Sequence, residues 1–203
     1  MIQTPERSPE RDAAIEAMLA HVPFDGWTRK ALRLGLRDAG MAEDEAELLF
    51  PGGAVDMVDT FCDLMDRKME DAAASLTENR LSHRVKAVIR LRLDLCAPYK
   101  EAIRRAMGVL AMPQGARTGI ACTARTVDSI WFAAGDQSAD FSWYTKRAIL
   151  TAVYSATLLF WLRDQSEGHV DTLAFLDRRL AGVGRIGGLR RRAEAVMGRL
   201  RPA

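Results

Sequence analysis

The sequence predicts an all-α protein. In nearly every segment apolar residues recur at i, i+3, i+4 and i+7, the period of an amphipathic helix. The period-two alternation of a half-buried strand is absent. Glycine and proline fall at helix-length intervals, at Gly40, Pro51-Gly52-Gly53, Pro98 and Gly135.

Each element follows from local signals. The first helix is expected from about Pro9 to Ala20. A second starts after Gly26 with Thr28 as N-cap and stops at Gly40. A short third covers Ala42 to Leu49. The Pro-Gly-Gly break precedes a fourth, which runs to about Ser75. The fifth covers Glu78 to Leu95. The sixth covers Pro98 to Met112, and its proline suits a helix start. A seventh ends at Gly135, an eighth runs from near Asp140 to Arg163, and a ninth from Val170 to Ala181. Gly182, Gly184, Gly187 and Gly188 form a joint before a last helix, Leu189 to Leu200.

Three short helices followed by longer ones is the layout of the tetracycline-repressor-like regulators, whose first three helices form a helix-turn-helix head. The expected architecture is therefore a tetracycline-repressor-like bundle of about ten helices with a C-terminal amphipathic helix. Residues 1–50 would be the head, 51–181 the body, and 182–203 the joint and basic helix. The head's chemistry departs from DNA binding. The helix that would enter the major groove carries Glu43, Asp44, Glu45 and Glu47 and no Lys or Arg. Affinity for DNA rests on neutralising phosphates, so these acids would repel a duplex.

Composition narrows the function classes. A chain of 203 residues, 48% hydrophobic, can bury a substantial core. The three cysteines, Cys62, Cys96 and Cys122, are odd in number and far apart, which fits a reducing compartment and no disulfide framework. No apolar run is long enough to span a membrane. The N-terminus MIQTPERSPERD lacks a signal core and is too acidic for a transit peptide, so a bacterial cytosolic protein is expected. His21, His83 and His169 stand in no metal-ligand spacing, and no CxxC occurs. The glycines of GVGRIGG follow a helix, not a strand, against a nucleotide loop. No nucleophile motif is present. The expectation is a protein without catalytic residues, metal or cofactor.

Two regions stand out. Eight of the 14 aromatics lie between Trp131 and Trp161. Among them, Asp140, Trp143, Tyr144 and Arg147 fall at i, i+3, i+4 and i+7 on one helical stripe. Trp, Tyr and Arg are the residues enriched at interface hot spots, and spacing alone leaves core packing and an interface both open. The second region is the C-terminus: Arg178 to Ala203 carries +7 and the rest of the chain −5. In the last helix Leu189, Ala193, Val196, Met197 and Leu200 share one face, with Arg190, Arg191, Arg192 and Arg199 around it. A basic amphipathic helix suits an anionic membrane surface. Packing on the protein's own acidic surface, a dimer arm and nucleic-acid binding are the other readings.

The run VDSIWFAAGDQSADFSWYTKRAIL, followed by VYSATLLFWLRDQS and FLDRRL, resembles the lipid-binding accessory family of ubiquinone biosynthesis, the "coenzyme Q nine" family. The similarity extends from HVPFDGW through FPGG to FLDRRL. It implies a repressor-like fold without DNA recognition, a bound isoprenoid or polyprenyl quinone lipid, and no catalytic role. It also implies assistance to a quinone-ring hydroxylase, either the di-iron demethoxyubiquinone hydroxylase or a flavin enzyme. By motif, the partner-facing patch falls on Ile130, Asp140, Trp143, Tyr144 and Arg147. Ser142 departs from the Asn common in the family.

A lipid inside the later helices would meet Met107, Leu110, Trp131, Val153, Tyr154, Thr157 and Leu158, each of which could equally fill a core. The resemblance gives the membrane role to the C-terminal helix, through Leu189, Arg190, Arg191, Arg192, Val196, Met197 and Leu200. A homodimer, peripheral on the cytoplasmic side of a bacterial inner membrane, is expected. The rival reading is a ligand-responsive transcription regulator.

Overall fold

The structure, a computed structural model, describes residues 4–136 and 142–182. It forms two compact units that divide between Asp140 and Phe141. Among the described residues every regular element is helical. The all-α expectation is met.

The first unit begins with α1 (Pro9–Met18), whose Ser8 hydroxyl accepts the Arg11 amide. A four-residue helix, α2 (Val22–Asp25), follows, and then α3 (Arg29–Asp38). The Thr28 hydroxyl caps α3 by accepting the Ala31 amide at 3.2 Å, as the sequence predicts. Gly40 ends it at φ +71, and the Met41 amide closes onto the Leu36 carbonyl at 2.8 Å. Gly35 is required by the packing of α1 on α3, since a Cβ there would lie 2.5 Å from the Met18 nitrogen. The segment read as one helix from Ala42 to Leu49 is a 3-10 turn, Glu43–Glu45, running into a single α turn, α4 (Ala46–Leu49).

Three longer helices and one intermediate one complete this unit: α5 (Gly53–Ala73), α6 (Leu81–Cys96), α7 (Lys100–Ala111) and α8 (Ala116–Ala133). A 3-10 turn, Ala97–Tyr99, joins α6 to α7. The core holds Ile15, Met18, Leu32, Leu36, Phe50, Met57, Met65, Met69, Ile89 and Leu93, all fully buried. The boundary expected at residue 50 lies within this unit. The Trp27 indole N–H donates to the Ala102 carbonyl at 2.9 Å, and its ring packs against Phe61. Arg11 donates to Thr60 and pairs with Asp56. The head is thereby tied to α5 and α7.

The second unit contains α9 (Ser142–Trp161), a 3-10 turn at Glu167–His169, and α10, residues 170–182. Asp164 organises the turn between the helices. Its carboxylate accepts from the Ser166 amide (2.8 Å) and hydroxyl (2.6 Å), and from the Thr172 amide (2.9 Å) and hydroxyl (2.5 Å). Phe160 stacks on Phe175 with ring centres 4.6 Å apart, closing α9 against α10.

Candidate functional site

The first turns of α9 carry the aromatic–arginine cluster. Leu150, Val153, Tyr154, Thr157 and Trp161 fall on one helical stripe and are buried. Trp143 and Arg147 continue that stripe toward the helix start, yet both are only half-buried, and Tyr144 beside them is 69% exposed. The Trp143 and Tyr144 rings meet edge to face, 4.7 Å between centres. The Arg147 guanidinium lies 3.7 Å from the centre of the Trp143 ring, on its face. A core would have taken these rings inside. Here they form a pre-positioned surface cluster, with the cation holding the indole.

The other sequence-predicted members of that patch differ. Ile130, on α8 in the first unit, is fully buried and contributes to packing. Asp140 lies outside the described residues, as do Leu189, Arg190, Arg191, Arg192, Val196, Met197 and Leu200 of the C-terminal segment.

The seven lipid-lining candidates are divided between the units. Met107 and Leu110 of α7 and Trp131 of α8 are half-buried in the first. Leu110 packs over Gly119 of α8, where an added Cβ would lie 3.3 Å from the Leu110 Cβ. Val153, Tyr154 and Thr157 share the buried stripe of α9, and Leu158 beside them is half-buried. The Thr157 hydroxyl donates to the Val153 carbonyl at 2.7 Å, so it presents no unspent donor on an apolar face. A surface cavity of about 590 Å³ in the first unit contains none of the seven; Thr4, Asp59, Arg117, Ile120, Ala124 and Arg125 are among its lining.

Sequence reasoning missed a ladder of carboxylates on α5. Asp56, Asp59, Asp63 and Asp66 recur at i, i+3, i+7 and i+10, and arginines from the surrounding segments answer each one. Arg11 reaches Asp56, Arg125 reaches Asp59, Arg7 and Arg67 reach Asp63, and Arg92 reaches Asp66 at 2.7 Å. Burial pushes the Asp66 carboxyl up to about 6, even with Arg92 and the Thr126 hydroxyl beside it. The spacing was the available signal: four acids on one face of a helix that also carries an apolar face. In the head, Glu47 pairs with Arg33 at 2.5 Å and Glu43 with Arg37 at 3.7 Å. Two arginines of α3, Arg33 and Arg37, are thus turned to the protein's own acids.

The aromatic cluster falls inside the stretch that matches a known family. The COQ9 family model matches residues 116–187, from the start of α8 past α10. "Ubiquinone biosynthesis protein COQ9, mitochondrial" from Drosophila melanogaster is 36% identical over 177 residues, 84% of this chain and 54% of that protein. Its Homo sapiens counterpart is 30% identical over 82% of this chain and 55% of its own length. "Probable ubiquinone biosynthesis protein coq9, mitochondrial" from Dictyostelium discoideum is 32% identical over 82% and 57%. The chain belongs to the COQ9 family. It spans about half the length of these curated relatives. Among solved structures, a TetR transcriptional regulator from Nitrosomonas europaea superposes with a TM-score of 0.67 at 25% identity, covering 86% of this chain and 97% of that one. The repressor-like fold expected for a COQ9 chain is therefore the fold observed. No helix among the described residues is long and apolar enough to cross a membrane.

Proposed function

We propose that this COQ9 chain is a non-catalytic accessory protein of ubiquinone biosynthesis. It holds an isoprenoid or polyprenyl quinone lipid and presents the ring to a quinone-ring hydroxylase, of the di-iron demethoxyubiquinone or the flavin type, at a membrane surface. The observation that carries this reading is the Trp143–Tyr144–Arg147 cluster, with Tyr144 exposed and the other two half-buried, within the COQ9-matching stretch. Large aromatics held in place before binding lose little freedom on docking, and they bury much apolar area. That is the physics of a protein-docking anchor.

The lipid would meet apolar residues among the candidates named above, within one unit or the other, since an apolar lining suits a hydrocarbon tail. The basic C-terminal segment would supply membrane attraction, about 1 kcal/mol per Lys or Arg near an anionic surface. A homodimer, peripheral on a bacterial inner membrane, completes the proposal.

The rival, a DNA-binding regulator, draws on the likeness to the TetR regulator. The acids of the 3-10 turn and α4, and their pairing with Arg33 and Arg37, weigh against it. Native mass spectrometry of the protein purified from its own host tests the proposal. A co-purifying prenylated quinone or its precursor supports it; protein that carries no isoprenoid contradicts it.

A further inference from the structure

The segment before α1 and the first half of α8 are both pinned to α5. Arg7 donates to the two carboxylate oxygens of Asp63, at 2.9 and 2.7 Å. On α8, Arg125 pairs with Asp59, and the Thr126 hydroxyl donates to Asp66 at 3.0 Å. The cavity of about 590 Å³ lies between these two walls. Its size is that of a small-molecule site, and no residue proposed above for the lipid lines it.

The charges around the cavity are specific. Glu6, Asp59, Arg117 and Arg125 line it, two acids and two bases, so the lining is neutral. Asp59 and Arg125 answer each other, and the Asp59 carboxylate also accepts the Cys122 S–H at 3.2 Å. Glu6 and Arg117 are exposed, and neither side chain pairs with another group among the described residues. One unspent anion and one unspent cation therefore face the same space. Between the charges lies an apolar surface: Ile120 is 73% exposed, with Ala121 and Ala124 beside it on α8.

We propose that this cavity binds a small zwitterion. Arg117 takes its carboxylate or phosphate, Glu6 takes its ammonium, and Ile120 covers an apolar substituent. A simple anion would gain from Arg117 but meet the repulsion of Glu6, and a simple cation the reverse. A molecule with both charges satisfies both side chains. Ion pairs in open solvent contribute little. A ligand seated between two walls displaces water from the charges and strengthens each pair. The anchoring of both walls to α5 holds the site in shape before binding, which lowers the cost of ordering it. This chemistry is shared by a short peptide with free termini and by the headgroup of an aminophospholipid.

Calorimetric titration of the full chain tests the proposal and separates the two sources. The probes are alanyl-leucine and glycerophosphoethanolamine, each beside its singly charged counterparts: acetyl-alanyl-leucine and alanyl-leucinamide for the first, glycerol phosphate and ethanolamine for the second. The expected result is saturable binding of one zwitterion, which identifies the source. Removal of either charge should weaken it about tenfold or more, the weight of a charged hydrogen bond. Arg117→Glu and Glu6→Lys should each cause a similar loss, and the two together should recover binding, because opposite charges again face the cavity. Both residues are exposed, so melting temperatures should stay near wild type. Amide NMR shifts at residues 117–124 should move during the titration. Absence of saturable binding by either zwitterion would overturn the proposal. So would equal binding by a singly charged counterpart, binding indifferent to both charge reversals, or binding that leaves those amides unmoved.

Discussion

Tyr144 shows how one residue separates two readings that spacing left open. A fully buried aromatic costs about 3–5 kcal/mol on truncation to Ala, and Tyr144 at 69% exposure has no such contribution to lose. Tyr144→Ala should therefore leave the melting temperature near wild type, as for most surface changes, and adding Trp143→Ala, whose ring is half-buried, should cost less than a core truncation. Hot-spot anchors cost about 2 kcal/mol or more in binding, so affinity for the proposed partner hydroxylase should fall at least about 30-fold. Calorimetry and a binding titration check both halves. Asp164 gives a prediction in pH. Burial alone would raise its pKa, but hydrogen bonds from the hydroxyls and amides of Ser166 and Thr172 outweigh it and hold the carboxyl well below the usual range. A depressed native pKa contributes stability that is fully present above the unfolded value, about 3.9, and is lost progressively as pH falls from there through the lower folded value. Asp164→Asn should thus be destabilised at neutral pH. Its difference from wild type should shrink below about pH 4, read as the shift in denaturant midpoint. The stripe of Trp143 and Arg147 was legible because helical spacing survives in sequence. The burial of Ile130 was not, since it depends on which face of α8 the fold turns inward.

At the scale of elements, the sequence showed helix starts and stops best where one residue controls them. Thr28 and Gly40 bracket α3 because a hydroxyl cap and a positive φ are local requirements. The four residues of α2 passed unread, since a single turn before Gly26 has no period to detect. The third helix was read as continuous and is a 3-10 turn followed by one α turn, with Glu43, Asp44 and Glu45 crowding the start. Like charges at i and i+4, as at Glu43 and Glu47, do not favour a longer helix. The ladder on α5 was invisible for another reason: the arginines that answer it come from segments distant in sequence. The head's elements make a prediction of their own. With Glu43 and Glu47 paired to Arg37 and Arg33, and Asp44 and Glu45 exposed, no sequence-specific DNA binding is expected at physiological salt. A gel shift across fragments of the source genome checks this, and a tight, sequence-dependent complex would favour the regulator reading.

The whole molecule carries the membrane and lipid claims. The chain concentrates +7 in its last 26 residues against −5 elsewhere. Deleting residues 189–203 should reduce binding to anionic vesicles while leaving the helical signal of the remainder in place. Salt should weaken binding of the full chain through screening, because surface attraction decays over about 8–10 Å at physiological ionic strength. Equal vesicle binding by the shortened chain would remove this segment from the membrane mechanism. The repressor-like architecture was readable from helix order and the family from the aromatic run, whereas the division of the chain at Asp140 left no mark in composition. The central claim is that the aromatic–arginine cluster of α9 couples a lipid-carrying protein to a hydroxylase. The most direct measurement is the quinone profile, by mass spectrometry, of host cells whose only copy carries Trp143→Ala and Tyr144→Ala. The account predicts a folded, lipid-loaded variant and accumulation of the unhydroxylated quinone precursor. A normal quinone profile from cells containing that folded variant would contradict it.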